Sequence, residues 1–240
     1  MHPPRGVDEF DAAAGFYDAV AAGYDQQVEG LASNDEVRRR FRERVSQAAG
    51  PGGLILDYGC GTGIDAQWYA ECGHRVLAYD VSAQMVDQLR LRCAGEVASG
   101  CIAPMAGRLD VLERALENRE PVSVIAANFA VLNHVRDLGP LLHRLASHLA
   151  PQGLLVASVL NPFYRGDMLR AWWWRSLVRS GWTGAIRVEG QVTTHRHFTS
   201  AVRRAAAPDF VLEEVRAANG GSGLASMGSN YLFLMLRRCS

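Results

Sequence analysis

The sequence predicts an α/β fold: a doubly wound, mostly parallel sheet of seven strands, the last of them antiparallel, with helices on both faces. Three observations carry this. Between residues 54 and 160, short apolar runs rich in Val, Ile and Leu alternate with stretches of helical periodicity. A glycine-rich turn, "GCGTG", joins the first apolar run to the helix that follows. Two final apolar runs, "FVLEEVRA" and "NYLFLMLRR", have only the loop "ANGGSGLASMGS" between them, which makes them antiparallel partners. A chain of 240 residues suffices for one domain with a full core, and 1–240 reads as a single domain.

The elements follow in order. "SNDEVRRRFRERV" opens with a capping box, Ser33 with Glu36 three residues on, and Val37, Phe41 and Val45 recur at helical spacing behind it. The "GPGG" of residues 50–53 ends that helix. "LILDY" is a buried strand. Residues 64–72 read as a helix stopped by Gly73, and "HRVLAYD" (74–80) as the second strand. Ser82 caps a helix running to about Cys93. "SGCIA" is a short third strand, 110–118 is helical, and "PVSVIAANF" (121–129) is the fourth strand. Leu141, Leu142, Leu145 and Leu149 mark a helix that stops at "APQG", and "LLVASVL" (154–160) is the fifth strand. Thr199 caps a helix through Ala207, ahead of the two final strands.

Composition excludes several function classes. Formal net charge is zero, which argues against a nucleic-acid or membrane partner held by bulk charge. All 25 basic side chains are Arg, which reads as coding bias. No apolar run approaches the roughly 18 residues of a membrane helix, and "MHPPRGVDEF" lacks a signal pattern, so a cytoplasmic location is expected. The five cysteines, Cys60, Cys72, Cys93, Cys101 and Cys239, include no C-x-x-C pair; reduced thiols are expected, with no disulfide framework and no metal site. A monomer or homodimer is the expected state.

The glycines decide between ligand classes. Gly59, Gly61 and Gly63 form G-x-G-x-G after Asp57. A dinucleotide-binding turn needs G-x-G-x-x-G, and the third glycine comes one residue early. A phosphate loop of the G-x-x-x-x-G-K-[ST] type is absent, and no Lys exists to serve it.

"LDYGCGTG" resembles the first motif of the class I S-adenosylmethionine-dependent methyltransferases, small-molecule type. "YDVSAQMV" supplies the second acidic residue of that family, Asp80, at the end of the second strand; "FYDAVAAGYD" resembles its N-terminal helix, and "NFAVLNHVRDL" its segment after the fourth strand. The resemblance runs from about Phe16 to the last strand. It implies a Rossmann-like fold and S-adenosyl-L-methionine as cofactor, with S-adenosyl-L-homocysteine as product. It implies that Asp80 accepts the ribose hydroxyls, with Val81 beside it. It places the amino acid end of the cofactor on Asp57, Gly59, Cys60 and Gly61, with Tyr24 and Tyr17 covering it. Asn128 and Phe129 would pass near the adenosine or sulfonium, and Met85 near the adenine. "CIAPMAGRLD" offers no clear match to the family's residue for the adenine amino group; Asp110 is the nearest carboxylate, and capping the next helix is its simpler role.

Methyl transfer from a sulfonium is an in-line displacement that needs alignment and exclusion of water. A base is needed only for an acceptor such as a hydroxyl, and no metal is required. His134 follows the fourth strand; His195 and His197, in "TTHRHF", share one face of a strand. These three are the candidate bases, a packed loop residue being the plain role for His134 and a solvated strand face for the other two. Residues 161–198 break the alternation and form a candidate substrate lid. Four of the five tryptophans lie there, as do Arg165, Arg170, Arg175, Arg179, Arg187 and Arg196, against Asp167 and Glu189. The arginines suit an anionic acceptor, or else a solvated helix stripe; the tryptophans suit an aromatic pocket, an anchor or a dimer contact. The expected function is methyl transfer to a small molecule, oxygen before nitrogen, of natural-product type. A nucleic-acid or protein methyltransferase is the alternative of the same fold; an NAD-dependent oxidoreductase or a non-catalytic S-adenosylmethionine-binding protein are the rivals outside it.

Overall fold

The computed structural model describes residues 8–28, 32–117, 119–180, 184–188, 190 and 192–239. The chain divides into two compact units, Met1–Ala127 and Asn128–Ser240. The seven strands expected from the sequence form a mostly parallel sheet.

The first unit contains α1 (Asp8–Val28), α2 (Ala32–Ala49), β1 (Leu54–Tyr58), α3 (Ile64–Glu71), β2 (Arg75–Asp80), α4 (Ala83–Arg92), α5 (Ala94–Ala98), β3 (Ile102–Ala106), α6 (Leu109–Leu116) and β4 (Val122–Ala127). Its strands lie in the order β3-β2-β1-β4, all parallel. All five residues of β1 are buried, which is why "LILDY" is a continuous apolar run broken only by Asp57. Ser82 caps α4 as expected, its Oγ accepting the Met85 N–H at 3.1 Å.

The second unit contains a 3₁₀ turn (Val131–His134), α7 (Leu138–Ala146), β5 (Leu149–Leu160), α8 (Arg165–Met168), α9 (Ala171–Ser180), β6 (Ala185–Val188), β7 (Thr194–His197), α10 (Thr199–Ala206), β8 (Phe210–Ala217), a second 3₁₀ turn (Gly223–Gly228) and β9 (Tyr231–Arg238). The last strand, β9, lies between β5 and β8 and is antiparallel to both. β6 and β7 make a separate antiparallel hairpin. The segment 161–198 is therefore two helices and a hairpin, packed on an apolar cluster of Trp173, Leu177, Ile186 and Phe198.

Several boundaries differ from the sequence reading. The third strand is displaced to Ile102–Ala106, because its register is set by pairing with β2 from Val76↔Ile102 to Asp80↔Ala106 and not by its own apolar run. Leu149 opens β5 instead of closing α7, and "APQG" lies inside that strand, with Gln152 at φ +64°. Ser33 sits within a helix already formed at Ala32; its side chain lies outside the described residues, as do Asn118 and Trp182. Phe198, not Thr199, is the N-cap of α10.

Gly63 has a packing role. It adopts φ +85°, and a Cβ there would come within 2.6 Å of Leu89 Cγ on α4. Gly63→Ala is expected to lower unfolding stability by about 2 kcal/mol or more, combining a left-handed backbone with overpacking. Gly61→Ala, at φ +52° with open space around the new Cβ, loses only the backbone part, about 1 kcal/mol. Chemical denaturation of the two variants checks the difference.

Candidate functional site

In the first unit the chemistry gathers where β1 and β2 end. The turn after β1 folds back: the N–H groups of Gly59 and Cys60 both donate to the Tyr79 carbonyl, at 2.7 and 2.9 Å. Three left-handed residues, Gly59, Gly61 and Gly63, give the turn its curvature. Asp80 closes it. Its Oδ2 accepts the Gly61 N–H at 2.8 Å and its Oδ1 accepts the Ser82 N–H at 2.9 Å. Burial raises the Asp80 pKa, and hydrogen bonds from Ser82, Gly61 and Val81 oppose that rise.

Asp57 sits in mid-sheet on β1, paired with Ala78 and Ala126, and is 2 % exposed. Its Oδ2 has no hydrogen-bond partner among the described residues. Burial, then the negative charges of Asp65 and Asp80, push its pKa well up. Asp65, in the first turn of α3, is held by two arginines of α2, Arg38 Nη1 at 2.9 Å and Arg42 Nε at 2.6 Å. Cys60 is a buried thiol whose pKa is raised by burial and by Asp80, which argues against a nucleophile. Met85 is fully buried, and Val81 half-buried.

Tyr17 and Tyr24 lie on α1, their rings in edge contact at 6.1 Å. The aspartates that follow each of them make the stronger contacts. Asp18 Oδ1 accepts the Ser82 hydroxyl at 2.6 Å and the Gln84 N–H at 3.2 Å. Asp25 accepts the Thr62 hydroxyl at 2.5 Å and pairs with Arg92. Asp110 neither caps α6 nor approaches this turn; it pairs with Arg114 at the surface.

In the second unit, Phe129 and Ala130 are consecutive non-glycine residues with positive φ, +48° and +66°. Such strain persists only where surrounding contacts enforce it, and it concentrates at functional sites. Here β5 enforces it. The Ser158 hydroxyl accepts the Phe129 N–H at 2.6 Å and donates to Asn128 Oδ1 at 2.8 Å, while the Ser158 carbonyl accepts the Ala130 N–H at 3.0 Å. Asn133, fully buried, donates to the His195 carbonyl at 2.6 Å and accepts the Leu160 N–H at 2.9 Å.

The three histidines are brought into one region of this unit. His195 and His197 share a strand face, ring centroids 6.2 Å apart, but that face is buried and not solvated. Close carbonyls draw the segment inward: His197 Nε2 donates to the Val135 carbonyl at 2.9 Å. His195 has its pKa pulled down to about 4 by burial, then by the positive charge of Arg187 and Arg136 and by His134. Burial also lowers the His134 pKa, against a hydrogen bond to the Thr193 backbone.

The lid arginines do not converge. Arg165, Arg170, Arg175, Arg179 and Arg187 are exposed, as a solvated stripe would be, and Glu189 lies outside the described residues. Arg196 alone turns inward, pairing with Asp167 at 2.5 Å and donating to the Asn161 carbonyl at 2.8 Å. Trp173 is a buried anchor, its Nε1 donating to the Pro162 carbonyl at 2.8 Å, whereas Trp174 is half exposed.

A family model described as a methyltransferase domain matches residues 30–204. The chain belongs to the methyltransferase-domain family. A ubiquinone biosynthesis O-methyltransferase of Bradyrhizobium diazoefficiens is 31% identical over 128 residues, 53% of this chain and 48% of that protein. A malonyl-[acyl-carrier protein] O-methyltransferase of Yersinia pestis is 28% identical over 172 residues, 71% of this chain and 58% of that one. The chain thus spans about half the length of the curated relatives it matches. Among solved structures, the 1,6-didemethyltoxoflavin-N1-methyltransferase of Burkholderia thailandensis superposes with a TM-score of 0.65 at 18% identity, covering 100% of this chain and 94% of that one, which shows the fold.

Sequence reasoning missed Asp18, Asp25, Thr62, Asn133 and Ser158. The repeat of Tyr-Asp seven residues apart in "FYDAVAAGYD" was the available signal for the first two; nothing local marks Ser158, whose role exists only through β5. None of the described helices is long and apolar enough to cross a membrane.

Ser158→Ala removes both hydroxyl bonds to the strained segment and is expected to cost about 1–3 kcal/mol in denaturant unfolding. The His195 ring should stay neutral in NMR titration until about pH 4. Its folded pKa lies below the usual 6.5, so the unfolded chain binds the proton first and stability falls as pH drops from 6.5 towards 4. His195→Gln should reduce that part of the acid sensitivity.

Proposed function

We propose that this chain transfers a methyl group from S-adenosyl-L-methionine to a small-molecule acceptor, oxygen being the preferred acceptor atom. The observation that carries the cofactor assignment is the Asp80 carboxylate, fixed by two backbone N–H groups beside a glycine with open space over its Cα. These residues fit the cofactor. Asp80, a buried carboxylate at the end of β2, is the proposed acceptor for the ribose hydroxyls. Gly61, where a Cβ would meet nothing within 4 Å, lets a ligand approach the turn. The Asp57 oxygen without a partner suits the charged amino acid end, directly or through water. Tyr17 and Tyr24 cover that end, Cys60, Gly59 and Val81 line the turn, and Met85 supports the adenine. Asn128 and Phe129, the latter held at positive φ, are the proposed residues for the adenosine or sulfonium.

When bound, S-adenosyl-L-methionine supplies a methyl group on a sulfonium, an electrophile with a neutral leaving group. The chain's own task is then to orient the acceptor, exclude water and, where the acceptor carries a proton, take it up. The matched O-methyltransferases support oxygen as acceptor. His134, in the 3₁₀ turn of residues 131–134, is the proposed base, and His195, with a pKa of about 4, is the weaker candidate. Burial lowers the His134 pKa, which favours the neutral ring that a proton acceptor needs. The segment 161–198, with its buried Trp173 anchor and inward Arg196, is the proposed acceptor lid within a single functional domain, of the sort a specialised natural-product acceptor would need.

In a thermal-shift assay, S-adenosylhomocysteine should stabilise the protein and NADH should not; the reverse result would overturn this reading. Asp80→Ala should weaken S-adenosylhomocysteine binding at least about tenfold in calorimetry. With an acceptor found by transfer of labelled methyl in small-molecule extracts, His134→Ala should lower kcat about a hundredfold or more while leaving cofactor affinity unchanged. Stabilisation without any labelled product would instead leave a binding protein.

A further inference from the structure

Helix α1 carries aspartates at seven-residue intervals, Asp11, Asp18 and Asp25, which two helical turns place along one face. All three bond to the rest of the first unit. Asp11 pairs with Arg108 at 2.7 Å, a contact exposed on both sides. The other two reach residues that flank Asp80 in its hydrogen-bond network. Ser82 donates its N–H to Asp80 Oδ1 at 2.9 Å and its hydroxyl to Asp18 Oδ1 at 2.6 Å. Thr62, buried, donates its hydroxyl to Asp25 Oδ1 at 2.5 Å, and the residue before it, Gly61, donates its N–H to Asp80 Oδ2 at 2.8 Å. Each oxygen of Asp80 is thus oriented by one backbone N–H, and each of those N–H groups belongs to, or adjoins, a residue whose hydroxyl is held by an aspartate of α1.

We propose that Asp18 and Asp25 are positioning residues for recognition of the ribose hydroxyls, each acting through one of the two turns that orient Asp80. The inference rests on the reading that Asp80 receives those hydroxyls. A hydroxyl-to-carboxylate hydrogen bond is charge-assisted and short, and it immobilises the peptide unit whose N–H points at Asp80. Asp18 does this twice over, since it also accepts the Gln84 N–H at 3.2 Å, while Ser82 Oγ accepts that of Met85. Two of the first-turn donors of α4 are therefore satisfied through the same pair of side chains. Asp25 is itself held by Arg92, at the far end of α4. The helix that carries the covering tyrosines is consequently coupled to the orientation of the ribose acceptor.

The test uses the full chain and calorimetric binding of S-adenosylhomocysteine and its 2′-deoxy analogue. The wild-type protein should prefer the ribose form by about tenfold or more, since losing a hydroxyl removes a charge-assisted hydrogen bond to a buried carboxylate. Asp18→Ala and Asp25→Ala should each weaken S-adenosylhomocysteine by about tenfold and shrink the preference to about threefold or less. Asp18→Asn and Asp25→Asn keep an acceptor oxygen and should restore most of the preference. Thr62→Val leaves both aspartates in place, removes only the donor, and should reproduce the Asp25→Ala result, which keeps the test alive if an alanine variant unfolds. Asp11→Ala should change neither affinity nor preference. If Asp18→Ala and Asp25→Ala weaken both ligands equally, with the preference intact, they merely clamp α1 and the proposal fails. A wild-type protein that binds neither ligand would instead sink the cofactor reading, and one that binds both equally would sink the role of Asp80.

Discussion

The first unit depends on one buried carboxylate. Asp80 ends β2 and takes one backbone N–H from the glycine turn and one from the start of α4, so a single side chain fastens two loops that sequence keeps apart. Burying a carboxylate is costly unless hydrogen bonds compensate, and these two compensate only while the turn keeps its left-handed curvature. The glycines, the cap of α4 and the acid are one arrangement, and each loses its purpose without the others. The Oδ2 of Asp57, on the neighbouring strand, has no hydrogen-bond partner among the described residues, an exception to the pairing that buried polar atoms usually find.

The second unit is organised around a different constraint, the backbone conformation of residues 128–130. Two consecutive left-handed residues that are not glycine are held by three hydrogen bonds to Ser158 and Asn128. Ser158 can do this because β5 is paired with β9 around it and is buried along most of its length. Asn133 then ties the following turn to both β5 and β7. The histidine-bearing hairpin is held through backbone carbonyls and not through the histidine rings alone, and burial there weakens the His195 ring as a base.

Much of this was legible from local pattern. The strand "LILDY", the helix start at Ser82 and the insertion of the last strand were all readable, because a buried parallel strand must be apolar throughout, a cap needs a side-chain acceptor, and a short connection without a helix cannot cross over. Where boundaries shifted, a partner strand decided: β3 took its register from β2, and Leu149 joined β5 although its spacing continued the helix. The expected solvated face at His195 and His197 failed for a similar reason. Alternation says that two residues share a face, but whether that face meets water depends on what packs over it.

The sequence by itself determined the fold class, the methyltransferase family and the glycine turn with its two acids, because these rest on periodicity and on short spacings along the chain. Only the tertiary structure decided which of those groups are already engaged. It turned Gly63 into a packing residue, linked Asp18 and Asp25 to the turns that orient Asp80, and set the basicity of His195. Hydrogen-bond partners dozens of residues apart and the dielectric around a ring are properties of the packed molecule, and no local pattern of residues encodes them.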